Sequence, residues 1–391
     1  MTAGTQKSRE MKYAATLSSV IALRMMGLFL ILPVFMVLAT EVPGYSPQAA
    51  GLAVGIYGLT QAALQQPFGW LSDRWGRKPV MLLGLGLFAA GGVVAATVET
   101  MPALIAGRAL QGCGAIAGVA MALAADVTRP ERRSIVMAII GMGIGASFLV
   151  SMMASVPLAT LLGLKGLFWL TAVFAVIGML LVLTVPAAPR LAVETGGQQE
   201  GDIRLVWLLA ISVFLLHAVM TLLFVTFPPM LVERFGLELQ AHWKIYVPTM
   251  LLSVVIVFPA LRKIGASLAE HRFLPWAFVA LAVAMVAMPV SGHWLAMGFV
   301  VTLYFLGFNL LEAAMPSVLS RVTGSRGRGR KMGLYSTFQF LGAFIGGVAG
   351  GWFLAQFGSG WALSAAGLAC LLWGLVLMRL SSGFFPTRKA A

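Results

Sequence analysis

The chain has 391 residues, of which 60% are hydrophobic and only 10% are charged. Soluble domains carry about 25% charged residues, so this composition excludes a soluble enzyme. A membrane-spanning helix needs roughly 20 apolar residues, and the apolar content therefore suffices for about twelve spans. Both cysteines, Cys113 and Cys370, lie in apolar runs, which offers no disulfide framework and no cysteine-rich metal site. The composition indicates an all-α polytopic membrane protein without a bound metal.

Hydropathy divides the chain into twelve predicted spans. A polar linker, 187–204, separates an N-terminal six-helix bundle, 1–186, from a C-terminal six-helix bundle, 205–391. This 6 + 6 division is typical of transporters built from two parallel halves. The predicted spans are 14–40, 49–71, 79–98, 101–125, 134–161, 166–186, 205–231, 243–261, 273–291, 293–320, 332–357 and 361–380.

The net charge of +14 is unevenly distributed along this predicted topology. Most of the 27 lysines and arginines fall in the N-terminal tail, the even-numbered loops and the C-terminal tail. This is the positive-inside pattern, and it predicts an inner-membrane protein with both termini in the cytoplasm. The basic excess then faces anionic lipid. We expect the lipid bilayer and a small-molecule substrate as partners, a monomer, and no nucleic acid.

A charged loop joins the second and third spans and reads GWLSDRWGRK from Gly69 to Lys78. It is similar to the motif G-x-L-[SA]-D-R-x-G-R-[KR] of the major facilitator superfamily. Gly76 permits a tight turn, and Arg77 is free to pair with Asp126 at the end of the fourth span. We expect Asp73 near a helix N-terminus of the other half, where negative charge is stabilised. The predicted conformational latch comprises Gly69, Asp73, Arg74, Gly76, Arg77, Lys78 and Asp126.

A second motif, RALQGCGA, begins at Arg108 and places Arg108 and Gln111 on one helix face. It is similar to the R-x-x-Q-G-x-G-A pattern of the drug:proton antiporter branch of that superfamily. The order of segments resembles the YajR-type efflux transporters, some of which carry a soluble C-terminal domain that we do not expect here. The fifth span departs from the antiporter pattern, because Val156–Pro157 replaces the usual Gly-Pro. The resemblance implies twelve spans, a central cavity, alternating access, and protons as the coupling ion without another cofactor.

Polar residues inside the spans supply the remaining candidates. Charge at that depth is costly, which favours a role in proton coupling for Glu312, Arg24 and Arg108. His217 is a further proton-coupling candidate, although a structural histidine stays open, and Glu312 also has the alternative of neutralising a buried arginine. Other polar residues either line a substrate cavity or join helices by hydrogen bonds: Tyr57, Gln61, Gln65, Gln111, Asn309, Tyr335 and Gln339.

Glycines concentrate in the fifth span of each half, at Gly141–Gly145 and Gly342–Gly351. Small residues at three- and four-residue spacing let helix backbones approach closely. Static packing and helix sliding both explain such runs, and the sequence leaves the choice open.

These observations predict a secondary transporter that exports a small amphipathic compound in exchange for protons. No Walker A string is present, so ATP drive within this chain is unsupported. No H-E-x-x-H or G-x-S-x-G string is present, and we expect no enzymatic activity. A symporter or uniporter of the same fold and a non-transporting membrane sensor remain alternatives.

Overall fold

The computed structural model describes residues 3–129, 132–186, 203–267, 270–322 and 328–384. Within these ranges the chain is helical with short turns and contains no strand. The α-helices are α1 (Ala3–Phe29), α2 (Leu32–Leu38), α3 (Pro47–Trp75), α4 (Arg77–Thr97), α5 (Met101–Gly112), α6 (Ala117–Asp126), α7 (Arg133–Thr184), α8 (Ile203–Phe235), α9 (Trp243–Ser267), α10 (Glu270–Ala287), α11 (Trp294–Val322) and α12 (Arg328–Phe384).

Two of these helices are too long to be single membrane spans. The 52 residues of α7 would extend about 78 Å as a straight helix, more than twice the roughly 30 Å hydrocarbon core of a bilayer. Each is interrupted at one glycine with positive φ, Gly163 in α7 and Gly358 in α12. Left-handed backbone breaks a right-handed helix and is readily adopted only by glycine. The fifth and sixth spans therefore lie in α7, and the eleventh and twelfth lie in α12.

Nine helical segments of the described residues are long and apolar enough to cross a membrane. Two of the nine are the 50-residue segments within α7 and α12, each of which holds two spans. Helix α3 is long enough to be a further span, although its glutamines lower its apolar character. The helices thus account for the twelve predicted spans.

The first and fourth spans are interrupted, whereas the sequence predicts continuous spans over 14–40 and 101–125. Pro33 has no N–H to donate to the carbonyl of Phe29, and α1 ends at Phe29 for this reason. In the fourth span, α5 ends at Gly112 and α6 begins at Ala117. A side chain at Gly112 would collide with the Tyr57 carbonyl and the Thr60 hydroxyl, so the backbone there packs directly on α3.

Contacts divide the chain into two units, Met1–Thr195 and Gly196–Ala391. In the first unit α1 packs on α7, α3 on α5, and α4 on both α5 and α7. In the second unit α8 packs on α12, α9 on α11, and α10 on both α11 and α12. The second pattern repeats the first, and Gly358 follows Gly163 by 195 positions. Each unit is therefore a six-span bundle of the same design. Most of the predicted linker, at 187–202, lies outside the described residues.

The two glycine runs differ in their surroundings. A Cβ added at Gly342 or Gly346 would collide with the backbone carbonyl of Phe214 or Ala218 in α8. In the fifth span only Gly143 faces a close neighbour, the hydroxyl of Ser18, whereas Gly141 and Gly145 face open space. Of the two glycine runs, the one in the eleventh span therefore packs directly on the backbone of α8.

Candidate functional site

The loop between α3 and α4 is organised by the guanidinium of Arg77. Gly76 has φ +99° and separates the two helices, so α4 begins at Arg77 itself. The guanidinium pairs with Asp73, and its Nε donates to the Asp126 carboxylate at 3.2 Å. Its Nη1 also donates to the hydroxyl of Ser72 at 2.7 Å. The Arg77–Asp126 pair expected from the sequence is present, and its role as a latch stays a prediction.

Other residues of the predicted latch have simpler surroundings. Arg74 lies over the exposed ring of Trp70, with its Cζ 5.6 Å from the ring centroid. A Cβ added at Gly69 would have no atom within 4 Å, so close packing does not explain a glycine there. Asp73 is 65% exposed, and its predicted approach to a helix N-terminus of the other half stays a prediction.

Lys78 has partners at the far end of the first unit's chain. Its Nζ donates to the carbonyl oxygens of Leu183 and Val185, each at 2.8 Å. These carbonyls belong to the end of α7, where the last turn of a helix lacks intrahelical donors. A cation at a helix C-terminus is also favoured by the helix dipole. Lys78 therefore joins the loop between α3 and α4 to the end of the sixth span, a contact that the sequence does not predict.

Arg24 forms the centre of a polar cluster in the first unit. Its Nη2 donates to the hydroxyl of Tyr57 at 2.8 Å and to the side-chain oxygen of Gln61. Gln61 in turn donates to Gln65 at 3.4 Å, along the same face of α3. Arg24 is 1% exposed and Gln61 is fully buried. The predicted glutamine and tyrosine stripe of the second span therefore contacts the arginine of the first span.

Arg108 lies beside this cluster, and its guanidinium contacts the same Tyr57 ring as Arg24 does. Its Nη1 donates to Gln111 at 2.8 Å, and the Gln111 amide donates to Thr171 at 2.9 Å. The Arg108 Cζ is 5.0 Å from the centroid of the Tyr57 ring, and the Arg24 Cζ is 6.0 Å from the same centroid. Arg108 is also 1% exposed. The two predicted arginines are thus brought together around Tyr57.

Within the described residues, no ion pair joins either of these two guanidiniums to a carboxylate. Across the residues that the structure describes, the ion pairs of the first unit join other groups, at Arg77, Arg129 and Lys165. Three buried nitrogens also lack a hydrogen-bond partner: Arg24 Nε, Arg24 Nη1 and Arg108 Nη2. Nearby rings contribute about 0.5–2 kcal/mol per cation, whereas burial of an ion costs several kcal/mol.

The second unit holds a different cluster, centred on His217. Its Nδ1 lies 3.1 Å from the carbonyl oxygen of Val213, and its Nε2 lies 2.8 Å from the amide nitrogen of Gln339. Because a carbonyl only accepts, Nδ1 carries the proton, and Nε2 of the neutral ring accepts from Gln339. His217 therefore has defined partners in the eleventh span and in its own helix.

Glu312 reaches the same imidazole nitrogen from α11. Its Oε2 lies 3.6 Å from His217 Nε2 and is a buried atom without a hydrogen-bond partner among the described residues, while 36% of the Glu312 side chain is exposed. Within the described residues, the charged partner of Glu312 is this histidine rather than an arginine. Protonation of Nε2 would require the Gln339 amide to turn and present its oxygen.

The remaining cavity candidates of the second unit are close to this cluster or to α9. Tyr335, one helical turn before Gln339, is buried with an unpartnered hydroxyl. Asn309 donates to the hydroxyl of Ser253 at 2.9 Å and therefore joins the eighth and tenth spans. The expected cavity-lining role of these residues stays a prediction.

Residues 17–319 match the family model described as Major Facilitator Superfamily. The chain belongs to the major facilitator superfamily. It is 37% identical over 369 residues to the inner membrane transport protein YajR of Escherichia coli K12, covering 91% of this chain and 80% of that protein. It is 28% identical over 271 residues to the multidrug resistance protein MdtL of Shigella dysenteriae, covering 66% and 68% of the two chains.

A solved structure of a D-xylose–proton symporter has the same fold, with a TM-score of 0.75 at 16% identity. That comparison covers 97% of this chain and 98% of the symporter. The family and the helices together identify a multi-pass membrane transporter with the twelve-span fold expected from the sequence.

Proposed function

We propose that this transporter exports a small amphipathic compound in exchange for protons by alternating access. The observation that carries the proposal is the cluster of His217, Glu312 and Gln339 in the second unit. A carboxyl beside a neutral imidazole inside a span is a costly arrangement for packing alone. It is well suited to a proton that is taken up and released once per transport cycle.

The proposal assigns one proton to two alternative arrangements of these hydrogen bonds. When Glu312 is protonated, its hydroxyl donates to Nε2 of His217 after a small rotation from the present 3.6 Å separation. When Glu312 is ionised, Nε2 would accept from Gln339 alone, through the contact present at 2.8 Å. The cluster therefore has a loaded and an unloaded arrangement that differ by one proton and one side-chain rotation. External loading and cytoplasmic release would couple this change to transport.

Energetics permit this coupling. At a total driving force of about 150 mV, one proton supplies roughly 3.5 kcal/mol. Every 1.4 kcal/mol corresponds to a tenfold ratio, so one proton supports a substrate gradient of about a few hundredfold. No second energy source is required.

The direction of transport is supported by sequence similarity. MdtL is named as a multidrug resistance protein, and the RALQGCGA segment from Arg108 resembles the antiporter pattern. Symport has its own supporting observation, because Val156–Pro157 replaces the Gly-Pro of the antiporter pattern in the fifth span. Antiport and symport predict opposite directions of proton movement, and this difference decides between them.

The test uses purified protein in liposomes that contain a pH-sensitive dye. A pH gradient is imposed, and amphipathic compounds are added one at a time to protein-containing and protein-free vesicles. Antiport predicts proton movement opposite to the substrate, and symport predicts movement with it. Substrate flux without any proton flux contradicts the proposal and favours a uniporter. Vesicles with the Lys165→Gln protein, which carries an exposed substitution in the first unit, serve as a further control and should behave like vesicles with the unaltered protein.

A further inference from the structure

The polar cluster around Tyr57 has a chemical preference of its own. Two permanent cations, Arg24 and Arg108, are each 1% exposed, and both guanidinium carbons lie within 6.0 Å of the Tyr57 ring centroid. The described carboxylates of the first unit pair with other basic groups or lie at exposed positions. The attraction of the aromatic rings offsets only part of the cost of burying these charges.

The unpartnered N–H groups of the two arginines determine which kind of ligand the cluster could bind. Arg24 Nε, Arg24 Nη1 and Arg108 Nη2 are buried N–H groups without an acceptor. The acceptors already present are all neutral: Tyr57 and Gln61 for Arg24, and Gln111 and the Ala53 carbonyl for Arg108. Guanidinium nitrogens only donate, so a missing partner must accept, and a negative charge is the favoured acceptor.

The surroundings of the donors favour an organic anion. The rings of Tyr57, Phe88 and Phe168 all lie within 6.0 Å of a guanidinium carbon. These rings are buried in this structure, and once the cluster opens they would offer an apolar surface to the body of a ligand while the arginines bind its charged end. A small hydrated ion gains nothing from such a surface.

We propose that Arg24 and Arg108 bind the carboxylate of an amphipathic aromatic compound. This inference rests on the proposed function, because the ligand is taken to be the transported compound. The donors are closed to solvent in this structure. The first span is interrupted after Phe29 and the fourth after Gly112, close to the two arginines in sequence. Movement at these interruptions would admit the ligand, since discontinuous helices are common at transporter binding sites.

The experiment measures equilibrium binding to purified protein in detergent, without any gradient. The probes are benzoate, 2-naphthoate and biphenyl-4-carboxylate, and each is compared with its primary amide, a neutral molecule of the same shape. The inference predicts that at least one carboxylate binds at least tenfold more tightly than its amide. Equal binding of acids and amides, or no binding of any acid, overturns it.

Variants then locate the site. Arg24→Gln and Arg108→Gln are each expected to weaken carboxylate binding at least tenfold, which corresponds to about 1.4 kcal/mol. Lys165→Gln removes an exposed cation of the same unit and should change nothing. Chloride is the inorganic competitor: if chloride binds with the same arginine dependence and the carboxylates do not, an organic ligand is excluded.

Two further controls keep the outcomes distinct. If an arginine-to-glutamine variant fails to fold, the acid–amide comparison on the unaltered protein still decides the inference. Arg108→Lys, which keeps the charge, should retain part of the affinity. Proton-driven transport of a neutral compound without carboxylate binding would refute this inference and leave the proposed function intact. Carboxylate binding without proton coupling would support this inference and refute the proposed function.

Discussion

Oε2 of Glu312 lies 3.6 Å from Nε2 of His217, the same nitrogen that Gln339 approaches at 2.8 Å. A protonated Glu312 would therefore compete with the Gln339 amide for the lone pair of Nε2. This carboxyl oxygen has no hydrogen-bond partner among the described residues. The proposed function requires two arrangements of the cluster, and we expect a proton on Glu312 to select between them.

The loop between α3 and α4 supplies the first prediction. Asp126→Asn removes a half-buried charge from Arg77 while keeping the shape of the side chain. Such a pair is worth about 1 kcal/mol, which shifts a balanced conformational equilibrium about fivefold. We expect the transport rate to fall several-fold, with the melting temperature nearly unchanged. Unaltered transport in Asp126→Asn and in Asp73→Asn would contradict the prediction that these residues form a conformational latch.

Lys78 supplies the second prediction. Lys78→Met retains the aliphatic stem and loses both hydrogen bonds to the end of α7. Because one of the two is exposed to water, the expected loss of stability is only about 1 kcal/mol. Thermal unfolding in detergent measures this loss, and the melting temperature of Lys78→Arg should lie between those of Lys78→Met and the unaltered protein. A melting temperature equal in all three would show that the contact contributes nothing.

The glycines of the eleventh span supply the third prediction. A Cβ at Gly346 would collide with the backbone carbonyl of Ala218, so Gly346→Ala should force α8 and α12 apart. Overpacking of this kind costs about 1–3 kcal/mol. Gly141→Ala is the matched control, since that position faces open space and alanine is the better helix former. Equal stability of the two variants would contradict the close packing.

The sequence predicts the spans well, because apolar runs of sufficient length become membrane helices whatever their neighbours. It also predicts the Arg77–Asp126 pair, which rests on complementary charges in a recognisable motif. The partners of Lys78 were not predicted, since they are backbone carbonyls and leave no signature in residue type. The interruption after Phe29 had a readable signal in Pro33, which removes one helical hydrogen bond.

The topology gives the fourth prediction. In a background without Cys113 and Cys370, Gly292→Cys should react with an impermeant thiol reagent in intact cells, because the charge distribution places it outside. Gly292 faces open space, whereas Gly44 has φ +84° and would be strained by a cysteine. Gly197→Cys, at a position outside the described residues, should react only after permeabilisation. The reverse labelling pattern would show that the protein has the opposite orientation in the membrane.

Glu312→Gln tests the central claim most directly, with Glu233→Gln as the control at an exposed acidic position of the same unit. The amide keeps the size and hydrogen-bonding capacity of the carboxyl but cannot carry a proton. Exchange across equal substrate concentrations and accumulation under an imposed pH gradient are measured in the same liposomes. We predict that Glu312→Gln retains exchange and loses accumulation, whereas Glu233→Gln retains both. Proton-driven accumulation by a well-folded Glu312→Gln protein would contradict the account.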